Sequence, residues 1–152
     1  MQKLANRILL VDDDADDRYI MHQAFTELHF ENEVKMFCSG SDLLGYLEQL
    51  PRQSYPDLLV LDFNMPAING AELALYLRRQ ESYRDIPVVL YSTGMSPKMQ
   101  KDLLAAGVLR CYEKGMEYGN VLELAKSLVE LVLDGNDISA THGIRFESLS
   151  ES

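Results

Sequence analysis

Five times along the chain, a short apolar run gives way to a longer stretch with apolar residues three and four positions apart. The first run, Ile8–Val11 (β1), is too short for a helix and ends in turn-forming aspartates, so it reads as a strand. Ile20, Ala24, Phe25 and Leu28 then mark one face of a helix (α1, residues 20–28). Residues 33–38, "EVKMFC" (β2), alternate as a strand with one less buried face does. Residues 41–50 (α2) are helical, with Ser41 near the N-cap and Pro51 as the stop. Residues 57–63, "DLLVLDF" (β3), and 86–92, "IPVVLYS" (β4), are continuous apolar runs, the mark of strands covered on both faces. Between them, residues 69–80 (α3) place Leu73, Tyr76 and Leu77 on one helical face. Residues 96–107 (α4) form a complete helix signal: Ser96 as N-cap, Pro97 at the first position, Gly107 past the end. A short strand at 110–114 (β5) leads to an amphipathic helix at 120–133 (α5) through Val121, Leu124, Ala125, Leu128 and Leu131.

Five β-α units in succession predict an α/β fold: a flavodoxin-like (βα)5, doubly wound parallel sheet with strand order 2-1-3-4-5 and right-handed crossovers. Residues 1–133 form this domain. Residues 134–152 are polar and serine-rich, and read as a loose tail on which Ile144, Phe146 and Leu149 dock weakly. With 152 residues the chain is long enough for one real core. The net charge of -10 argues against nucleic acid and against anionic membranes as partners. No apolar run is long enough to span a bilayer, and the first residues lack a signal-peptide core, so a cytoplasmic location is expected. Cys38 and Cys111 lack metal-binding spacing and are expected to be small buried residues. His22, His29 and His142 form no ligand set with one another.

In such sheets the ligand sits at the carboxyl ends of the strands, where strand order reverses. Asp12 and Asp13 follow β1, Asp62 ends β3, Ser92 and Thr93 end β4, and Lys114 ends β5. Three carboxylates in one crevice do not all stay ionised without a counter-charge. A hard cation such as Mg2+, which takes oxygen ligands and keeps waters, supplies it. Asp12, Asp13, Asp62 and the backbone carbonyl of Asn64 suit that ion. Each piece alone has a plainer explanation: an Asp pair after a strand is usually a helix cap and a solvated turn. Both explanations operate in "VDDDADDR". Asp12 and Asp13 face the cation, while Asp14 is the N-cap and Asp16 and Asp17 sit in the first turn of α1, where the helix dipole favours negative charge. On that division Asp13→Ala abolishes magnesium-dependent chemistry and Asp17→Ala leaves it nearly intact.

At these residues the chain resembles the receiver domain of two-component response regulators, of the chemotaxis-type single-domain kind. The matching segments are "ILLVDDD" (8–14), "DLLVLDFNMPAINGAEL" (57–73), "PVVLYSTG" (87–94) and "AAGVLRCYEKG" (105–115). The resemblance implies that Asp62 accepts a phosphoryl group from a histidine kinase or histidine phosphotransfer protein. It implies Mg2+ as cofactor on Asp12, Asp13, Asp62 and the Asn64 carbonyl, with Ser92 and Lys114 contacting the phosphoryl group. It implies no enzyme activity beyond self-phosphorylation and self-dephosphorylation, the latter tuned at Asn64 and Gly94. Output is expected through a protein contact on the α4–β5–α5 face.

Three positions depart from the family pattern. Cys111 stands where an aromatic switch residue is usual, with Tyr112 on the opposite sheet face, so the coupling between Ser92 and position 111 is in question. Gly115 stands in place of a proline after the lysine, which predicts a trans loop. Thr93 replaces a smaller residue beside the phosphate path. Two other readings stay open: a pseudo-receiver that binds partners without phosphate, and a haloacid-dehalogenase-type magnesium phosphatase. The latter needs an Asp where "DFN" has Asn64.

Overall fold

In the computed structural model, residues 6–134 are described. Five parallel strands stand in the order β2-β1-β3-β4-β5. They are β1 (Ile8–Val11), β2 (Val34–Phe37), β3 (Leu58–Asp62), β4 (Val88–Ser92) and β5 (Arg110–Glu113). The helices are α1 (Ala15–Glu27), α2 (Gly40–Gln49), α3 (Gly70–Arg79), α4 (Pro97–Ala105) and α5 (Tyr118–Leu133). This is the flavodoxin-like order expected from five β-α repeats. The tail, 135–152, with Ile144, Phe146, Leu149 and His142, lies outside the described residues.

Alternation along the strands divides the core in two. Ile8, Leu10, Leu58, Val60, Val89, Tyr91 and Tyr112 face α1 and α5. Leu9, Val11, Leu59, Leu61, Val88, Leu90 and Cys111 face α2, α3 and α4. The continuous apolar runs of β1, β3 and β4 follow from this double cover, because a strand with helices on both faces has no solvent side. The edge strand β2 is less covered: Phe37 is buried, Val34 and Met36 are half-buried against the α1 and α5 side, and Lys35 is exposed.

Four local expectations need correction. The core face of α1 is Met21, Ala24 and Phe25, and Ile20 is exposed. The helix starts five residues earlier than Ile20, at Ala15, and this sets its rotation. Tyr76 likewise points outward from α3, where Ala74 takes the inner place beside Leu73 and Leu77. The N-cap of α2 is Ser39, whose Oγ accepts the Asp42 N–H at 3.1 Å; Ser41 lies inside the helix. Cys38 is exposed, its Sγ donating to Asp42 Oδ2 at 3.4 Å, because it falls one residue past the end of β2.

Two glycines fix the loops around the strand ends. A Cβ at Gly70 would stand 2.4 Å from the Asp62 carbonyl oxygen and 2.7 Å from Leu90 Cδ2. The first turn of α3 thus rests directly on the end of β3, with Asn69 and Glu72 closing a capping box above it. A Cβ at Gly115 would stand 2.0 Å from that of Asn120, whose side chain accepts the N–H of Glu117, the N-cap of α5. A proline ring does not fit there, and the β5–α5 connection is trans, as expected.

Candidate functional site

The carboxyl ends of β1, β3, β4 and β5 bring the predicted residues into one pocket. Asp12, Asp13 and Asp62 each present a carboxylate oxygen, all within 4.8 Å of one another. Asp12 and Asp62 are buried, and Asp13 is exposed at the mouth. Oxygen-only donors of this number and spacing fit a hard divalent cation. Lys114 reaches in from β5, its Nζ 3.2 Å from Asp62 Oδ2 and 3.6 Å from Asp12 Oδ2. The Asp62 Oδ1 accepts the Asn64 N–H at 2.9 Å, which turns the chain sharply after β3. Ser92 Oγ donates to the Gly94 carbonyl at 2.8 Å and lies 3.1 Å from Asn64 Oδ1. The same Asn64 oxygen accepts the Thr93 N–H at 3.0 Å, so Asn64, Ser92 and Thr93 form one cluster beside the pocket.

The aspartate-rich turn divides largely as its sequence suggests. Asp14 caps α1, accepting the Asp16 and Asp17 N–H groups at 2.8 and 3.2 Å. Asp17 departs from the expectation. Its Oδ2 accepts Lys114 Nζ at 2.9 Å, across 97 residues of chain. The first turn of α1 leans over the β5 end, so a residue read as a plain dipole charge belongs to the lysine's immediate environment.

Two further residues were missed. Tyr91 donates its hydroxyl to Asp12 Oδ2, and its ring lies 4.9 Å below Lys114 Nζ. Arg18 Nη1 donates to the Asp12 carbonyl at 2.7 Å. The sequence carries one signal for Tyr91: a lone phenol inside a buried aliphatic strand must find a polar partner.

Burial pushes the Asp12 carboxyl up from 3.8 to about 6, against the pull of the Tyr91 and Asp14 hydrogen bonds and of Lys114. Burial also works against the Lys114 ammonium, but the Asp17 hydrogen bond and the charges of Asp12 and Asp62 outweigh it and raise its pKa. Burial, then the Asp12 charge, raises the Tyr91 phenol well above its usual value, so it stays a donor. Burial pushes the Cys111 thiol up to about 11, which leaves it protonated and unreactive at neutral pH.

A stability prediction follows for Asp12. The folded chain holds its proton to about pH 6 and the unfolded chain only to about 3.8, so unfolding releases a proton between those values. The contribution of Asp12 to the stability of the metal-free protein therefore falls as pH rises through that window, by about 3 kcal/mol. Asp12→Asn removes the loss. In urea denaturation with a chelator present, the variant should gain on wild type between pH 4 and pH 7. An equal difference at both values of pH contradicts the assignment.

Beside the pocket, a groove of about 390 Å³ opens between α1 and the start of α5, lined by Ile20, Met21, Met116, Tyr118, Val121 and Leu124 together with Asp17 and Lys114. Met116 is fully exposed, and Ile20 and Tyr118 are partly so. Among the described residues, no helix is long and apolar enough to cross a membrane.

Comparison with known proteins agrees with this geometry. The profile of the response regulator receiver domain matches residues 8–126. The cyclic di-GMP phosphodiesterase response regulator RpfG of Xanthomonas campestris is 33% identical over 106 residues, which are 70% of this chain and 27% of RpfG. This chain thus spans about a quarter of that relative. A chemotaxis protein CheY homolog of Campylobacter jejuni is 30% identical over 104 residues, 67% of this chain and 75% of the homolog. The phosphorylated cyanobacterial phytochrome response regulator RcpA superposes with a TM-score of 0.72 at 26% identity, over 85% of this chain and 94% of that one.

Proposed function

The chain belongs to the response regulator receiver domain family, and from that premise we propose that Asp62 is its phosphoacceptor in a two-component phosphorelay. The single observation that carries the reading is Lys114 Nζ lying 3.2 Å from Asp62 Oδ2, within a group of three carboxylates. A carboxylate that attacks phosphorus needs a fixed cation for the phosphoryl oxygens and a divalent ion for the remaining charge. In this reading an Asp62 oxygen forms the new O–P bond as the P–N bond of a phosphohistidine breaks, and the electron pair leaves with the imidazole. Asp12, Asp13, Asp62 and the Asn64 backbone carbonyl would hold Mg2+, which when bound neutralises the phosphoryl oxygens. Lys114 supplies the second positive charge. Ser92 leaves Asn64 and the Gly94 carbonyl to hydrogen-bond the phosphoryl group.

The donor is a histidine kinase or histidine phosphotransfer protein. The apolar groove beside Lys114 suits a helix of such a partner, because its rim exposes Ile20, Met116 and Tyr118 next to the charged pocket. Output goes to a downstream protein on the α4–β5–α5 face. With small, buried Cys111 at the usual switch position, the Ser92 movement reaches that face through the β4–α4 loop, where Thr93 shares the side-chain oxygen of Asn64 with Ser92. A chemotaxis-type single-domain regulator in the cytoplasm is the form that best suits this activity. It is supported by a 25% identical match to the Helicobacter pylori chemotaxis protein CheY1 that covers 99% of that protein.

The test is direct. The purified chain, incubated with acetyl phosphate and Mg2+, is expected to gain one phosphoryl group by intact mass, labile to base as an acyl phosphate is. No adduct in the presence of the metal overturns the reading and favours a pseudo-receiver. Steady turnover of a simple phosphate ester favours a phosphatase.

A further inference from the structure

β4 reads Val88, Val89, Leu90, Tyr91, Ser92, and every residue in it is buried. A phenol in that setting has to spend its hydroxyl on something inside the protein. Tyr91 faces α1 and α5, the sheet face opposite Cys111. From there its side chain touches two members of the pocket at once. The hydroxyl donates to Asp12 Oδ2, and the ring face carries Lys114 Nζ at 4.9 Å from its centroid, within cation–π range. The other oxygen of Asp12 accepts the Asp14 N–H at 2.9 Å. Both oxygens of a carboxylate with no accessible surface are thus oriented by hydrogen bonds, and among the described residues only the Tyr91 bond comes from a side chain.

The character of the donor matters. A hydroxyl is neutral, so it fixes the carboxylate plane without cancelling the charge that a cation needs. A second lysine would fix the plane and compete with the cation. The aromatic face does the complementary work on the other side: it takes up an ammonium by its quadrupole without neutralising it, leaving Lys114 free to pair with Asp62 and Asp17.

We propose that Tyr91 is a positioning residue of this pocket: its hydroxyl sets the rotation of the Asp12 carboxylate for a divalent cation, and its ring sets the place of Lys114 beside Asp62. The inference rests on the magnesium-dependent receiver reading. Partners that orient metal-binding carboxylates typically contribute tenfold or more to metal affinity.

Two substitutions separate the hydroxyl from the ring. Tyr91→Phe keeps the ring under Lys114 and removes only the donor to Asp12. Its Mg2+ dissociation constant, measured by titration calorimetry on the unphosphorylated protein, is expected to rise about tenfold. Its metal-free melting temperature should fall by a few degrees, because the buried Asp12 Oδ2 loses its donor, and phosphoryl uptake should need correspondingly more Mg2+ to reach half its maximum rate. Tyr91→Leu removes the ring as well, and its uptake should fall even at saturating Mg2+. A spectroscopic signature excludes a merely structural role. In protein labelled with carbon-13 at the tyrosine Cζ, the Tyr91 resonance, identified by its absence in Tyr91→Phe, should shift on Mg2+ addition. That of Tyr55, before the amino end of β3, should not. An unchanged Mg2+ dissociation constant in Tyr91→Phe, or a Tyr91 resonance indifferent to Mg2+, overturns the inference while leaving the receiver reading in place. Wild-type protein that binds no Mg2+ overturns the magnesium reading and this inference with it.

Discussion

Asp62→Asn is expected to take up no phosphoryl group from acetyl phosphate under conditions that label the wild-type chain. The substitution keeps the side chain's shape and its hydrogen bond from the Asn64 N–H, which the amide oxygen accepts as the carboxylate Oδ1 does at 2.9 Å. It removes the nucleophile, because a neutral amide oxygen does not form a stable phosphoryl bond. The neighbouring carboxylates do not take over equally. Asp12 is buried with its oxygens committed to Asp14 and Tyr91, and only Asp13 stands exposed. Intact mass after incubation is the readout, with peptide mapping to locate any residual adduct. A phosphoryl group retained by Asp62→Asn at wild-type rate removes Asp62 from the role. Chelating the divalent cation from wild type should produce the same loss, since three carboxylates within 4.8 Å of one another otherwise repel the incoming phosphoryl oxygens.

Lys114→Met should move metal binding and phosphoryl uptake in opposite directions. The side chain is 14% exposed, and its Nζ lies 2.9, 3.2 and 3.6 Å from Asp17, Asp62 and Asp12. At such distances each pair is worth about 5 kcal/mol at an effective dielectric constant near 20, before desolvation and solvent screening are deducted. Removing the ammonium leaves the carboxylates uncompensated, so a divalent cation should bind about tenfold tighter. Phosphoryl uptake should nevertheless fall about a hundredfold, because the fixed charge that meets the phosphoryl oxygens as the bond forms is gone. Calorimetry with Mg2+ and a time course with acetyl phosphate give the two numbers independently. A fall in both would mark Lys114 as a structural residue whose loss disorders the pocket. Asp17→Ala belongs to the same experiment. Its bond to Lys114 predicts slower uptake with little change in metal affinity, in place of the near-silence expected from the turn alone.

Much of the fold was legible in order and in kind. The covered strands β1, β3 and β4 announce themselves as unbroken apolar runs, and Ser96, Pro97 and Gly107 bracket α4 as helix chemistry requires. The places where reading failed share one cause. Ile20 and Met21 are neighbours of similar hydrophobicity, and only the true start of α1 decides which points inward. On α3, Ala74 and Tyr76 flank the face of Leu73 and Leu77 on opposite sides, and packing against the sheet buries the Ala74 side. Ser39 and Ser41 are both acceptable caps by type, and the backbone at residue 39, extended at φ -155°, makes the choice.

The site divides along the same line. Sequence by itself determined which side chains end the strands: Asp12 and Asp13, Asp62, Ser92, Lys114. That follows from local period and turn chemistry, and parallel topology then sends all of them to one edge. The tertiary structure alone decided which atom meets which. Tyr91 finds Asp12 across 79 residues and Lys114 finds Asp17 across 97, by the register of β4 against β5 and the lean of α1 over the sheet. Those are sums of many packing contacts, each small and none local, so no short stretch of sequence holds them.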